Sequence, residues 1–91
     1  MEVLFSVITV TWNAAGVIAP TLKSVKEQSY TDYEYLVVDG ASTDDTLRMV
    51  NEAGIAGTRI VSERDKGLYD AMNKAIRLAK GKYLIWMNAG D

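Results

Sequence analysis

The 91-residue chain contains no cysteine and no histidine. No disulfide can staple it, so stability has to come from packing, and a chain of this length holds at most one domain near the lower limit for an unstapled core. The same absences exclude thiolate and imidazole metal sites, every zinc motif, and Cys or Ser-His nucleophile systems. Carboxylate, hydroxyl, amide, Lys, Arg and backbone groups remain for chemistry. A basic excess is missing too. Ten Lys or Arg against twelve Asp or Glu leave a formal net charge of -2, which gives no sequence-independent pull toward nucleic acid or an anionic membrane. Any anionic ligand must therefore be held locally. Long apolar runs are also lacking: residues 3–10 form a short run broken by Ser6 and Thr9, and Met1-Glu2 supplies no basic leader. This argues against a signal peptide or membrane span and favours a cytoplasmic chain. With no linker, repeat or low-complexity stretch, residues 1–91 read as one unit.

What is present alternates in period. Residues 4–10 (LFSVITV) are nearly continuous in apolar and β-branched side chains, as expected of a strand covered on both faces. Between about Ala14 and Gln28, Ile18, Leu22 and Val25 recur at helical spacing. Pro20 removes one helical hydrogen bond, so the helix either starts near Ala19 with Pro20 in its first turn or kinks there. Residues 33–38 (YEYLVV) form a second strand. Ser42 and Asp45 then have capping-box spacing ahead of a helix running to about Ala53. Residues 59–62 are a short third strand. Leu68, Met72, Ala75, Ile76 and Ala79 are expected on one apolar face of a third helix, ended by Gly81 in a left-handed cap. Residues 83–87 (YLIWM) are the fourth strand.

Four strands alternating with three helices imply an α/β, Rossmann-like, three-layer parallel sheet, for which the usual doubly wound order is 3-2-1-4. Ligands in such sheets bind at the carboxyl ends of the strands. There the chain places Thr11-Trp12-Asn13, Asp39-Gly40, residues 62–67 and residues 88–91, so its polar chemistry collects on one edge. Turns are polar in any α/β protein, and Asp and Gly occupy them for conformational reasons. Neither G-x-x-x-x-G-K-[ST] nor G-x-G-x-x-G after the first strand is present, and the Gly54 and Gly57 pair reads as a turn.

The segments SVITVTWN (6–13), VVDGASTDDT (37–46) and SERDKGLYDAMNKAIRLAKGKYLIWMNAGD (62–91) resemble, in that order and spacing, the nucleotide-binding half of family 2 glycosyltransferases of the GT-A fold. The resemblance covers essentially the whole chain. It implies transfer of a sugar from a nucleoside diphosphate donor, UDP favoured, to an acceptor hydroxyl with inversion, in surface polysaccharide synthesis. Asp39 matches an acid able to accept the N–H of a pyrimidine ring, or else caps its own turn. Trp12 matches an aromatic position that stacks on a base, or else joins the core. Thr11 and Asn13 could donate to base or ribose oxygens, with Asn13 alternatively capping the first helix. Asp65 resembles an acid near ribose and base. Gly67 and the free N–H groups of the third helix start resemble an anion site, beside which Lys66 either neutralises phosphate or is merely solvated. Gly40 stands where many members carry a second Asp.

Asn88-Ala89-Gly90-Asp91 resembles the acidic metal motif reduced to its final acid, so Asp91 is expected to bind Mg²⁺ or Mn²⁺. Inversion needs a general base, and nothing before Asp91 matches one. The resemblance thus implies the amino-terminal portion of a longer enzyme, a truncated GT-A domain inactive alone, whose last strand leaves an edge open to self-association. A stand-alone binding or signalling module is the alternative. A receiver-like domain wants acids after its first strand, where this chain has Trp12-Asn13, and a phosphorylation site where it has Ser62-Glu63. A purely structural fragment is a third reading.

Overall fold

A computed structural model describes residues 3–28 and 32–89. The elements are β1 (Phe5–Thr11), α1 (Ala19–Lys26), β2 (Tyr33–Asp39), α2 (Thr46–Glu52), β3 (Thr58–Ser62), α3 (Leu68–Leu78) and β4 (Tyr83–Trp86). The strands form one parallel sheet in the order β3-β2-β1-β4, as the alternating pattern implied. Register aligns Thr11 with Asp39 and Asp39 with Ser62, so the last residues of three neighbouring strands lie in one row.

Strand alternation divides the core between the two faces. Val7, Tyr35 and Val37 pack with Ile18, Leu22, Val25 and Val50, on the side covered by α1 and α2. Ile8, Leu36 and Val38 pack with Ala71 and Ala75 of α3 on the other. The three-layer expectation therefore holds, and β1 and β2 are buried on both faces because helices cover both.

Helix α1 starts at Ala19 with Pro20 in its first turn, where the missing N–H costs nothing, so the first of the two alternatives holds. Several other local expectations are corrected. Ser42 and Asp45 form no capping box: Asp45 caps α2 by position without a side-chain bond, and its carboxylate meets Arg48 at 3.0 Å. Asp44 serves the helix start instead, accepting from Thr46 N at 3.0 Å and Thr46 Oγ1 at 2.5 Å. On α3 the buried stripe is Ala71 and Ala75, whereas Leu68 and Ile76 are 61% and 53% exposed. Two alanines let the helix lie close to the sheet, and that turns the larger side chains outward.

Gly81 is not a left-handed cap, because α3 ends at Ala79 in extended backbone. A Cβ on Gly81 would run into the backbone of Phe5 and Ser6. Its requirement is close approach at the point where β4 joins β1. Beside it, Glu34 accepts from Ser6 Oγ at 2.7 Å, Lys80 N at 2.6 Å and Arg59 at 3.1 Å, while Ser6 Oγ accepts Gly81 N at 2.8 Å. Arg59 also donates to the Leu78 carbonyl. This polar knot locks the amino-terminal side of the sheet and leaves the carboxyl ends free to build a site.

Candidate nucleotide-sugar site

At the carboxyl ends of β1, β2 and β3 a cleft of about 490 Å³ opens on the α3 side. Val10, Thr11 and Trp12 form one wall, Gly40 the floor, and Arg64, Asp65, Gly67 and Leu68 the opposite wall. Trp12 is 65% exposed, which rules out the core alternative and leaves its indole available to a planar ligand. A Cβ on Gly40 would stand 3.0 Å from Asp65 Oδ2 and 3.4 Å from Trp12 Cδ1. Glycine is therefore what allows the carboxylate and the indole to converge above the sheet. Thr11 lines the cleft, but strand alternation puts its side chain on the Val7 face rather than the Val10 face, and its hydroxyl is buried there without a hydrogen-bond partner among the described residues.

Asp39 and Asn13 are placed differently. The Asp39 side chain is fully buried, and its carboxylate accepts from Ser42 N at 2.8 Å, Ser42 Oγ at 2.5 Å and Ser62 Oγ at 2.8 Å. Ala41 adopts φ 63 to turn Ser42 back onto it. That left-handed conformation disfavours a residue with a Cβ and is held by the bonds it makes possible. Asn13 lies at φ 45 and caps no helix. Its Oδ1 accepts Thr43 N at 2.8 Å, and its own N–H donates to Ser42 Oγ at 2.8 Å. Asp44 Oδ2 accepts Ala15 N at 3.1 Å, and Thr46 Oγ1 accepts Ala14 N at 2.8 Å. The Thr46 hydroxyl above all, with the Ala15 and Thr46 N–H groups, holds the Asp44 carboxyl below the ordinary carboxylate range. These bonds fasten the turn after β2 to the turn after β1 and so fix where Trp12 and Gly40 stand.

The turn into α3 corrects another expectation. Gly67, at φ 118, is the N-cap. Its N–H donates to Asp65 Oδ1 at 3.2 Å, and Lys66 N–H donates to Asp70 Oδ2 at 2.8 Å. Of the N–H groups at the helix start, that of Gly67 already has a carboxylate partner, and so does the Lys66 N–H just before it. Lys66 is exposed and does not line the cleft. Asp91 lies outside the described residues. The chain approaching it is held by Thr21, whose hydroxyl donates to the Asn88 carbonyl at 2.9 Å.

The structure thus brings Thr11, Trp12, Asp65 and Gly67 together around one cleft and sets Asn13 and Asp39 in the polar support beside it. Sequence reasoning missed Ser42 and Ser62 as the donors that occupy Asp39, and Thr21 as the anchor of the last described turn. Ser62 ends β3, Ser42 lies in the turn three residues after Asp39, and Thr21 is on the buried side of α1, and in sequence each is only a hydroxyl near a strand end or on a helix.

This is the α/β architecture of GT-A proteins, with a cleft at the carboxyl edge of its parallel sheet. Residues 6–91 match the family described as Glycosyl transferase family 2, and the chain belongs to that family. A PGL/p-HBAD biosynthesis glycosyltransferase of Mycobacterium bovis is 42% identical over 91 residues, which cover 97% of this chain and 36% of the relative. S. aureus TarS 1-349, solved in complex with UDP-GlcNAc, superimposes with a TM-score of 0.86 at 28% identity, over 93% of this chain and 26% of TarS 1-349. Mannosyltransferase PcManGT of Pyrobaculum calidifontis, solved with GDP-Man and Mn2+, gives a TM-score of 0.78 at 33% identity, over 92% of this chain and 26% of the neighbour. The chain therefore spans about a third of the length of the mycobacterial relative. Among the described residues, no helix is long and apolar enough to cross a membrane.

Proposed function

We propose that residues 1–91 form the donor-binding portion of an inverting glycosyltransferase. The enzyme would move a sugar from a nucleoside diphosphate, UDP favoured, to an acceptor hydroxyl in surface polysaccharide synthesis on the cytoplasmic side. The observation that carries this reading is the convergence of an exposed indole and a carboxylate on one cleft at Gly40. In the bound state Trp12 stacks on the base, Thr11 and Asp65 meet polar edges of base or ribose, and Asp39 with Asn13 holds the walls in register. Relatives solved with UDP-GlcNAc and with GDP-Man support the ligand class without deciding the base.

No group of three or more metal-ligating side chains lies together among the described residues. A divalent ion would accordingly be held by Asp91 and by phosphate oxygens of the donor, which suits a hard cation with few protein ligands. When bound, Mg²⁺ or Mn²⁺ neutralises the departing diphosphate. On this reading the chain's own residues bind and orient the nucleotide, and among the described residues none is assigned as the base that inversion requires. We therefore propose that the chain alone transfers no sugar.

Calorimetric titration with UDP, with and without Mn2+, tests this reading. Saturable binding that tightens with the metal is expected, and a flat titration under both conditions overturns it. Self-association along the outer side of β4, where Tyr83 and Leu84 are exposed, belongs to the same proposal. Sedimentation should show mass rising with concentration, and a monomer throughout would remove that part.

A further inference from the structure

We infer that Lys74, which lies outside the cleft, is a positioning residue for it. Resting on the nucleotide reading, this assigns a cause to the geometry of the loop 63–67 that forms the wall opposite Trp12.

Lys74 sits in the second turn of α3, and helical side chains lean toward the helix amino terminus, the direction from which that loop enters. Its ammonium donates to the Arg64 carbonyl at 3.0 Å and pairs with Glu63 at 3.3 Å and Asp70 at 3.8 Å. The Lys74 side chain is only 12% exposed, and its ammonium combines one hydrogen bond to backbone with two flanking carboxylates. This differs from a solvated surface pair, which contributes little. The Asp70 Oδ2 that faces Lys74 also accepts Lys66 N–H, so one oxygen links the ammonium to the loop. Glu63 N–H is taken by the Asp39 carbonyl at 3.0 Å, and Gly67 N–H by Asp65.

Lys74 therefore reaches the loop at Glu63 and Arg64 directly and at Lys66 through Asp70. Between those points lies Asp65, whose Oδ2 faces Gly40 and Trp12. Without the ammonium, Glu63 and Asp70 keep their charges but lose their common partner. The loop then retains its backbone tie to β2, the Asp65–Gly67 bond and the Lys66 N–H bond to a less restrained Asp70, and Asp65 is held less firmly at one distance from the indole.

The test compares K74M, which keeps length and removes the charge, with K74R, which keeps the charge, in the 91-residue chain. Amide hydrogen exchange is read at Lys66 and Gly67 and at strand residues of β1 and β2, alongside UDP affinity by calorimetry. In K74M the two loop amides should exchange about tenfold faster with strand amides unchanged, and UDP affinity should fall by about tenfold, the scale of losing one charge-assisted contact. K74R should restore most of both. Unchanged loop exchange in K74M, or acceleration spread equally over the strands, overturns the inference. Should the wild-type chain bind no UDP, the nucleotide reading fails on its own and the exchange data still decide whether Lys74 fixes the loop.

Discussion

Replacing Glu34 with Gln isolates the polar knot at the amino-terminal side of the sheet, away from the cleft. The Glu34 side chain is 10% exposed, and its two oxygens divide the work: Oε2 takes Ser6 Oγ and Lys80 N, and Oε1 takes Arg59. An amide has one oxygen. If it faces Ser6 and Lys80, its NH2 group meets the Arg59 guanidinium, donor against donor. If it faces Arg59, the NH2 group meets the Lys80 N–H. Either orientation strands at least one donor and removes the ion pair. At roughly 1.5–3 kcal/mol for a hydrogen bond to a charged group, moderated by the partial exposure of Arg59, the loss should be about 2–4 kcal/mol. A chain of this length has about 5–14 kcal/mol in all. Urea unfolding at neutral pH, followed by circular dichroism, should show a lower midpoint at unchanged slope.

The pH dependence adds a second check on the same variant. Burial pushes the Glu34 carboxyl upward, but the Lys80 N–H, the Ser6 hydroxyl and Arg59 outweigh it, so its pKa falls below the ordinary 4.5. A carboxyl depressed in the folded state releases its proton there first, so its stabilisation is complete above the unfolded value and is lost as pH falls through the folded one. The difference between wild type and E34Q should be flat from about pH 6 to pH 8 and shrink below 4.5. A difference under about 0.5 kcal/mol at neutral pH, the range of ordinary surface substitutions, would refute the reasoning.

Two further substitutions probe glycines with opposite expectations. Gly40→Ala should leave thermal stability equal or slightly raised, by up to about 1 kcal/mol, because its φ is not left-handed. The new methyl lies 3.0 Å from a carboxylate pinned through Gly67, so UDP affinity measured by calorimetry should fall about tenfold; unaltered affinity would contradict the floor assignment. Gly81→Ala should destabilise by about 2 kcal/mol or more in urea, since the methyl meets β1 backbone that cannot step aside, and a neutral result would mean that β4 can shift away from β1.

Which features were legible in the sequence follows from what each signal encodes. Strand identity was readable because β1 and β2 are apolar on both faces, and strand order followed from the rule for doubly wound sheets. The inward stripe of α3 was readable only in part: helical spacing places Ala75 and Ala79 on it, omits Ala71, and wrongly adds Leu68 and Ile76. Ala71 and Ala75 alternate with Leu68, Met72 and Ile76 at similar spacing, and hydrophobicity favours the larger residues, whereas close helix-to-sheet contact selects the smaller. Ser42 carries a capping spacing that is real in sequence, yet the carboxylate of Asp39 outbids an α2 amide for its hydroxyl. For Gly81, Lys80 to Lys82 look like any helix-ending turn, and the crowding that demands glycine comes from residues 75 positions away.

The two acids expected to meet a nucleotide illustrate the limit more sharply. In sequence, Asp39 and Asp65 are both turn acids after a strand. In the fold Asp39 is sealed, with Ser42 N–H and the Ser62 hydroxyl on Oδ2 and the Ser42 hydroxyl on Oδ1, so a ring N–H could reach Oδ1 only by sharing or displacing the Ser42 hydroxyl. Asp65 spends one oxygen on Gly67 and turns the other toward Gly40 and Trp12. A ligand entering the cleft therefore meets Asp65 without breaking a bond, while recruiting Asp39 costs an existing one. This asymmetry makes Ser42 the residue that separates the two roles. With Ser42→Ala, Asp39 loses its shortest partner and becomes the more available acceptor, so discrimination among pyrimidine nucleotides should change if Asp39 reads the base and stay constant if Asp65 does.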